Sequence, residues 1–280
     1  NMSAEVSRPP YAVAALMSKL LTGGTMNKTL RWITGLSLLL GVFCQAASAQ
    51  NLNVVHSGKW PPYADAGLPQ QGLAVELVMT ALKRAGYTPV VNIDSLDRIL
   101  EGGKLGVYDV FATPWFSDER NQYLYYSEPY LESYIRFIKK KDKKFDFESF
   151  ADLKGMMIGI VADYAYDETF NQSRNLIKIS ERNLIQNLLK LTQGRIDLTL
   201  DDELVLQYEI NQYMPNSMAD LQLLPKPLAV RGIHIGVSRE NPDHEKIAAA
   251  FDKAIAAMKK DGSYDLIVSK HYIYIKKPAQ

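Results

Sequence analysis

Cysteine is nearly absent from this chain of 280 residues, which contains only one, Cys44. It precedes the region in which strands and helices can be predicted, so that region has no disulfide and no thiol ligand for a metal. The four histidines are scattered along the chain and do not have the spacing of a metal site. We therefore predict no metal, and no motif indicates a cofactor.

The chain also lacks an excess of charge of one sign. It has 32 basic and 31 acidic residues, for a net charge of +1. From residue 50 onwards, 28 basic residues stand against 30 acidic ones, which gives a charge of −2. No basic stripe dominates a predicted face, so the sequence does not indicate a nucleic-acid-binding protein. The charged run over 139–144 is predicted to be a solvated connection between lobes.

The amino-terminal region has an apolar run that is too short to cross a bilayer. Residues 32–43 form this run, which is only about a dozen residues long where a transmembrane helix needs roughly 20. Basic residues Lys28 and Arg31 come before it, and the small residues Ala47 and Ala49 come after it. This order is typical of a secretory signal peptide.

We therefore predict a signal peptide over 26–49, cleavage before Gln50, and a mature protein in the periplasm. An uncleaved amino-terminal membrane anchor is the alternative. Residues 1–25 precede Met26 and are interpreted as an upstream extension without a predicted role. Cys44 does not indicate a lipoprotein, because the bulky Phe43 occupies the position before it.

Strands and helices alternate in two series after residue 50. The first series is strand 53–56, helix 73–85, strand 89–93, a short helix from 97 to 100 broken by the following glycines, and strand 107–112. The second is strand 156–161, a helix start over 166–172, strand 176–179, helix 183–193, strand 196–200 and helix 203–214. Such alternation is typical of doubly wound α/β folds.

Two further strands are predicted at 134–138 and 231–238, and the chain is predicted to cross between the two lobes near 136–141 and 226–235. A helix over 244–260 has an apolar face that we expect to pack onto the first lobe. The predicted fold is therefore two doubly wound α/β lobes joined by two hinge strands. Lobe 1 comprises residues 50–138 and 232–280, and lobe 2 comprises residues 139–231. This layout permits hinge closure around a ligand.

The stretch over 109–130 gives the first indication of a binding site. An apolar strand is followed by a Thr-Pro-Trp turn, and a helix start at Ser117 leads directly to Arg120. Ligands of open α/β sheets bind beyond the carboxyl ends of the strands, where this arginine is expected. Its planar fork of donors suits bidentate capture of a carboxylate. A surface arginine paired with Asp118 or Glu119 is the alternative.

The same stretch resembles the "T-x-x-E-R … F-S-x-P-Y" signature of the bacterial extracellular solute-binding proteins of family 3, the polar amino-acid-binding group. Four other segments resemble motifs of this family in the same order: 60–63 (WPPY), 72–77 (GLAVEL), 152–161 (DLKGMMIGIV) and 194–203 (GRIDLTLDDE). The resemblance covers nearly all of residues 51–275. It implies a fold similar to the type II periplasmic binding proteins and a monomer that delivers a small ligand to a membrane ABC permease.

The resemblance also implies roles for particular residues. Arg120 matches the arginine that binds the α-carboxylate of the ligand, and Thr113 matches a hydroxyl residue that assists it. Asp202 matches the carboxylate of the second lobe that holds the α-ammonium group. Trp60 matches an aromatic residue that stacks on the ligand. A zwitterion that leaves water needs a partner for each of its charges, which agrees with this pairing.

Several positions depart from the family pattern. An aspartate of the family is Ser57 here, a second hydroxyl residue is Trp115, and a second aromatic residue is Leu96. A glycine-containing turn reads Ala-Asp-Tyr-Ala over 162–165. These changes suggest a smaller or differently shaped ligand, held by Arg98, Trp115 and Tyr164.

Structural roles are alternatives for some of these residues. Trp60 could fill the edge of the core, and Asp163 and Tyr164 could only shape their turn. The acidic cluster over 201–203 could serve the amino terminus of a helix, where negative charge is favourable. Tyr130 is interpreted as structural.

Three functions are compatible with the sequence. The first is a solute-binding protein of an ABC importer, with an amino-acid-like ligand and no catalytic residues. The second is a dehydratase similar to the periplasmic cyclohexadienyl dehydratases, in which Asp163, Glu168 or Glu203 would act as the acid. The third is a binding partner of a membrane sensor. Fold alone does not separate them.

The signal peptide leads to a first test. Mass spectrometry of the periplasmic fraction should detect a chain that begins at Gln50, because the small residues at 47 and 49 fit a signal-peptidase site. A product that retains Met26 and sediments with the membranes would show that the segment is an anchor.

Overall fold

The computed structural model describes residues 49–276, with side chains described up to residue 272. The predicted extension 1–25 and residues 26–48 of the predicted signal peptide lie outside this range. The strands within it are β1 (Asn51–His56), β2 (Lys59–Trp60), β3 (Ala64–Asp65), β4 (Thr88–Ile93), β5 (Val110–Phe111), β6 (Leu124–Tyr126), β7 (Leu131–Lys140), β8 (Met157–Val161), β9 (Ile177–Glu181), β10 (Leu198–Asp202), β11 (Leu221–Ile233) and β12 (Gly236–Ser238). The helices are α1 (Leu73–Arg84), α2 (Leu96–Lys104), α3 (Asp118–Asn121), α4 (Glu168–Gln172), α5 (Leu184–Thr192), α6 (Glu203–Tyr213), α7 (His244–Asp261) and α8 (Ser263–Lys276).

The strands form two five-stranded sheets and one small hairpin. The first sheet has the order β4-β1-β5-β12-β6, in which β1 is parallel to β4 and β5 while β12 is antiparallel to its neighbours. The second has the order β11-β7-β10-β8-β9, in which β8 is parallel to β9 and β10. Mostly parallel strands with helices between them are the doubly wound arrangement expected from the sequence.

The chain passes between the two sheets twice, and the two passages lie side by side. One follows β6 and the other precedes β12. The amide of Ser127 donates to the carbonyl of Ile235 at 3.0 Å, and the amide of Tyr130 donates to that of Ile233 at 2.9 Å. The hydroxyl of Ser127 also accepts from the amide of Ile235 at 3.0 Å. Paired backbone segments of this kind can act as one hinge.

The first passage differs from the crossing predicted near 136–141, whereas the second lies within the crossing predicted near 226–235. Residues 139–144 were expected to connect the lobes, but Lys139 lies within β7, is buried, and donates to the carbonyl of Lys143 at 2.5 Å. Strand β7 is longer than the predicted strand 134–138 because β11 pairs along it from Leu131 to Lys140. The chain therefore passes between the two sheets at 127–130 and 234–235. The lobe boundaries at 138/139 and 231/232 stay a prediction.

Four other elements differ from the sequence interpretation. Helix α2 continues through Gly102 and Gly103 because tertiary packing favours small residues there: a Cβ on Gly103 would lie 2.4 Å from the ring of Phe111. The predicted strand 107–112 is reduced to β5. Strand β11 begins ten residues earlier than predicted, and helix α8 was not predicted.

The predicted packing of the helix over 244–260 onto the first lobe is confirmed. Helix α7 buries Ile247, Phe251 and Met258 and contacts α1 and β12. The ring of Phe251 meets that of Tyr130 edge to face at 5.5 Å. Burial of each such side chain contributes roughly 1.5–3 kcal/mol. In the described part of the chain, no helix combines the length and apolarity needed to cross a membrane.

Candidate functional site

A cavity opens beyond the carboxyl ends of β1 and β5. It lies where the half of the described chain that contains the first sheet meets the half that contains the second sheet. Its free volume is about 580 Å³, which includes the opening to solvent. Most of the wall comes from the first sheet and helix α2, and the segment after β8 closes the other side. The lining residues are Val55, His56, Ser57, Trp60, Leu96, Ile99, Leu100, Phe111, Ala112, Thr113, Pro114, Trp115, Arg120, Tyr164 and Ala165.

Arg120 is positioned by the short helix α3. Ser117 caps this helix, and its hydroxyl accepts from the amide of Arg120 at 3.2 Å. The arginine is only 9% exposed, and its guanidinium donates to the backbone carbonyl of Asp163 from the other half. Among the described residues, no carboxylate lies within 4.0 Å of this guanidinium. This buried cation in the cavity wall therefore has no counter-ion among the described residues.

The turn that receives Arg120 has an unusual backbone conformation. Asp163 has φ = 62°, in the left-handed region that aspartate tolerates better than most residues. This conformation directs the carbonyl of Asp163 towards Arg120. The turn lacks the glycine expected from the family pattern, and an aspartate supplies the required backbone geometry instead.

Four aromatic rings connect the two halves beside the cavity. Trp60 stacks on Tyr63 with ring centroids 4.5 Å apart and meets Trp115 edge to face at 5.3 Å. Trp115 in turn meets Tyr164 at 5.5 Å. The indole Nε1 of Trp115 is buried and has no hydrogen-bond acceptor among the described residues. Such an unpaired buried donor is costly, and a ligand could satisfy it.

Asp201 lies behind Trp60 in strand β10 and is 1% exposed. Its Oδ1 accepts from the indole Nε1 of Trp60 at 3.1 Å and from the amide of Asp202 at 2.8 Å. Its Oδ2 has no partner among the described residues. Burial raises the pKa of Asp201 to about 8, and burial likewise raises the pKa of nearby Glu209 to about 7.

Asp202 has its hydrogen bonds within the protein. One oxygen accepts from the hydroxyl of Ser133 at 2.8 Å and the amide of Tyr134 at 3.0 Å. The other accepts from the amides of Leu204 at 2.8 Å and Val205 at 3.2 Å, and so caps α6. Burial raises the pKa of Asp202 to about 6, because the effect of desolvation is larger than that of these hydrogen bonds, which lower the pKa. Asp202 does not line the cavity, and its contacts agree with a structural role at a helix terminus.

The structure brings together five of the seven residues predicted to bind a ligand: Trp60, Thr113, Trp115, Arg120 and Tyr164. It does not bring Arg98 or Asp202 to the cavity. The side chain of Arg98 is 75% exposed and lies 3.6 Å from Asp94.

Sequence reasoning missed two residues of the site. His56, one of the four histidines to which no site was assigned, lines the cavity, and burial lowers its pKa. Its Nδ1 accepts from the amide of Gly58 at 3.0 Å, so its Nε2 donates to Gln71 at 2.8 Å. Asp201 received no role of its own. Its position at the end of a buried strand, one residue before Asp202, was the available signal.

Residues 52–273 match the bacterial extracellular solute-binding proteins of family 3, and the chain belongs to this family. The ABC transporter arginine-binding protein 1 of Escherichia coli (strain K12) is 26% identical over 237 residues, which cover 83% of this chain and 95% of that protein. The L-cystine-binding protein TcyJ of the same strain is 28% identical and covers 77% of this chain and 80% of its own. The family predicted from the motifs is confirmed.

Solved structures show the same fold. An ancestral arginine-binding protein bound to arginine matches with a TM-score of 0.67 and 22% identity, covering 79% of this chain and 98% of that one. A histidine kinase sensor domain with similarity to periplasmic binding proteins matches with a TM-score of 0.68 and 18% identity, covering 79% and 96%. The predicted class, two α/β lobes of the type II periplasmic binding protein fold, is confirmed.

The buried carboxyl of Asp201 makes stability depend on pH. With a pKa of about 8 when folded and 3.8 ordinarily, it holds a proton that the unfolded chain releases between these values. The free energy of unfolding therefore falls as pH rises through this window, by up to about 1.4 kcal/mol per pH unit. Asp201→Asn removes this titration, so the wild type should lose stability relative to the variant between about pH 5 and pH 8.

Urea unfolding at a series of pH values measures this difference. Asp146→Asn, at an exposed position, is the control and should keep the pH slope of the wild type. Parallel stability curves for the wild type and Asp201→Asn would show that Asp201 ionises as an ordinary carboxyl.

Proposed function

We propose that this chain is a periplasmic solute-binding protein that captures a small, amino-acid-like ligand between its lobes for an ABC importer. The observation that carries the proposal is Arg120, a buried guanidinium in the cavity wall without a carboxylate partner among the described residues. A ligand carboxylate would supply the missing counter-ion through paired hydrogen bonds. Membership of the family supports this function, and its named relatives bind amino acids.

Closure of the lobes is the second part of the proposal. Trp60 and Arg120 from one half donate to Asp201 and to the carbonyl of Asp163 in the other. A ligand bound at Arg120 would lie at the junction of these contacts. The paired segments near Ser127 and Ile235 would act as the hinge, because few residues need to change conformation there.

The partner that we propose is a membrane ABC permease, to which the protein would deliver its ligand as a monomer in the periplasm. The names of the relatives from Escherichia coli support the transport context and the compartment. Docking on a membrane sensor would use the same closed form.

We also propose that the protein does not transform its ligand. Of the three acids considered for a dehydratase, Glu203 pairs with the Nε of Arg136 at 2.5 Å, and Glu168 accepts from the Nε2 of Gln172 at 2.8 Å. Asp163 lies in the wider space that adjoins the cavity. Incubation with prephenate and arogenate tests this point, and product formation would favour the enzyme.

A thermal-shift screen of the mature protein against amino acids and small organic acids tests binding. A ligand at about 100 times its dissociation constant should stabilise the folded protein by about 2.7 kcal/mol. If no compound in such a screen raises the melting temperature, the proposed function fails.

The role of Arg120 is tested by the charge-conserving variant Arg120→Lys. Affinity for the best ligand of the screen should fall by about 1.5–3 kcal/mol, because lysine keeps the charge but loses the fork of donors. Arg98→Lys is the matched control, since its side chain is exposed, and affinity should be unchanged. Calorimetric titration of both variants measures the difference. Equal affinities of Arg120→Lys and the wild type would make Arg120 a structural residue.

A further inference from the structure

We propose that the ligand is a small carboxylate with an apolar body and without an ammonium group, rather than a zwitterionic amino acid. This inference rests on the proposed function and specifies the chemical class that the cavity accepts. Four observations carry it: the charges in the wall, the partners of the nearby carboxylates, the apolar lining, and an unpaired donor.

The cavity wall contains a cation and no anion. Arg120 is its one arginine or lysine, and no aspartate or glutamate is present among the described residues that line it. In the described lining, the only other titratable side chains are those of His56 and Tyr164. Burial lowers the pKa of His56 and raises that of Tyr164, which favours the neutral form of each. A carboxylate gains a partner in such a site, whereas an ammonium group would lose its hydration without one.

The two buried aspartates at the end of β10 do not supply the missing anion. Asp202 already accepts four hydrogen bonds from the protein, including two that cap α6. Asp201 lies behind the indole of Trp60, which donates to it. Burial raises the pKa of Asp201 to about 8, so its carboxyl is mostly neutral near pH 7. Ser57 stands in the wall with a neutral hydroxyl.

The rest of the wall favours an apolar body. It consists mainly of aliphatic and aromatic side chains: Val55, Leu96, Ile99, Leu100, Phe111 and Ala112. Trp60 and Trp115 add two indole rings, 5.3 Å apart and almost perpendicular. The unpaired Nε1 of Trp115 can only donate, so its partner in a ligand must be an acceptor, such as a carboxylate oxygen.

Negative charge is present in the wider space that adjoins the cavity and shares Arg120 and Tyr164 with it. The acidic residues of this space are Asp97, Glu101, Asp118, Glu119, Asp163, Asp167 and Glu168. Several of these, including Asp118, Glu119 and Asp163, are exposed, so water already solvates their charges. A zwitterion held by Arg120 could use these acidic residues by directing its ammonium group away from the apolar cavity and towards this space. This alternative predicts the opposite order of affinities.

Matched pairs of compounds test the inference in calorimetric titrations of the mature protein. The pairs are 3-phenylpropanoate with L-phenylalanine and 4-methylpentanoate with L-leucine, which differ only in the α-ammonium group. At least one acid should bind, at least about tenfold more tightly than its amino acid, because the cavity has no partner for the ammonium group.

The outcomes separate this inference from the proposed function. If an amino acid binds as tightly as its acid or more tightly, the inference fails and the solute-binding function stands. If neither acid binds, the inference also fails. If in addition no compound of the wider screen binds, the proposed function fails with it.

Variants at Ser57 give an independent test. Ser57→Asp places a carboxylate in the cavity wall and should reverse the preference, towards the amino acid of each pair. Ser57→Asn adds similar bulk without charge and should still favour the acid, which controls for steric effects. Trp115→Phe keeps a ring but removes the donor, and affinity for the preferred acid should fall by about three- to tenfold, as for the loss of one hydrogen bond. An unchanged order of affinities in Ser57→Asp would contradict the inference.

Discussion

The buried guanidinium of Arg120 sets the main physical constraint on this protein. A cation withdrawn from water requires compensation, and the described chain supplies one backbone carbonyl, that of Asp163, but no carboxylate within ion-pair distance. Because the carbonyl belongs to the opposite half, the arginine also joins the two halves of the fold. A ligand anion would complete the compensation, which makes binding and closure two results of one interaction.

The surrounding structure maintains this imbalance of charge. Asp202 is occupied by the cap of α6 and by Ser133, and Asp201 is held by the indole of Trp60. Both carboxyls have raised pKa values because they are buried. The site is also connected to the passages between the sheets, since Trp115 forms a backbone bridge with Ile233. A ligand that contacts Trp115 would therefore contact a residue that is bonded to the segment that we propose as the hinge.

Much of the fold could be predicted from the sequence because strand and helix periodicities are local properties. Two errors of the sequence-based prediction have tertiary causes. Lys139 was predicted to lie in a solvated connection but is buried in a strand that pairs with a distant one. Gly103 was predicted to break helix α2 but remains helical, because the ring of Phe111 occupies the space that a side chain would need. In the site, the position of Arg120 just beyond a predicted strand was enough to predict that this residue lines the cavity. The sequence could not show that the hydrogen bonds of Asp202 are already satisfied, because their donors come from other parts of the chain.

A crystal structure of the mature protein with its tightest-binding ligand tests the account most directly. We predict a ligand carboxylate within hydrogen-bond distance of the Arg120 guanidinium, at about 2.7–2.9 Å, with the apolar body of the ligand between Trp60, Trp115 and Tyr164. A ligand bound elsewhere, with the Arg120 guanidinium still held only by the carbonyl of Asp163, would contradict the claim that this buried cation selects the ligand.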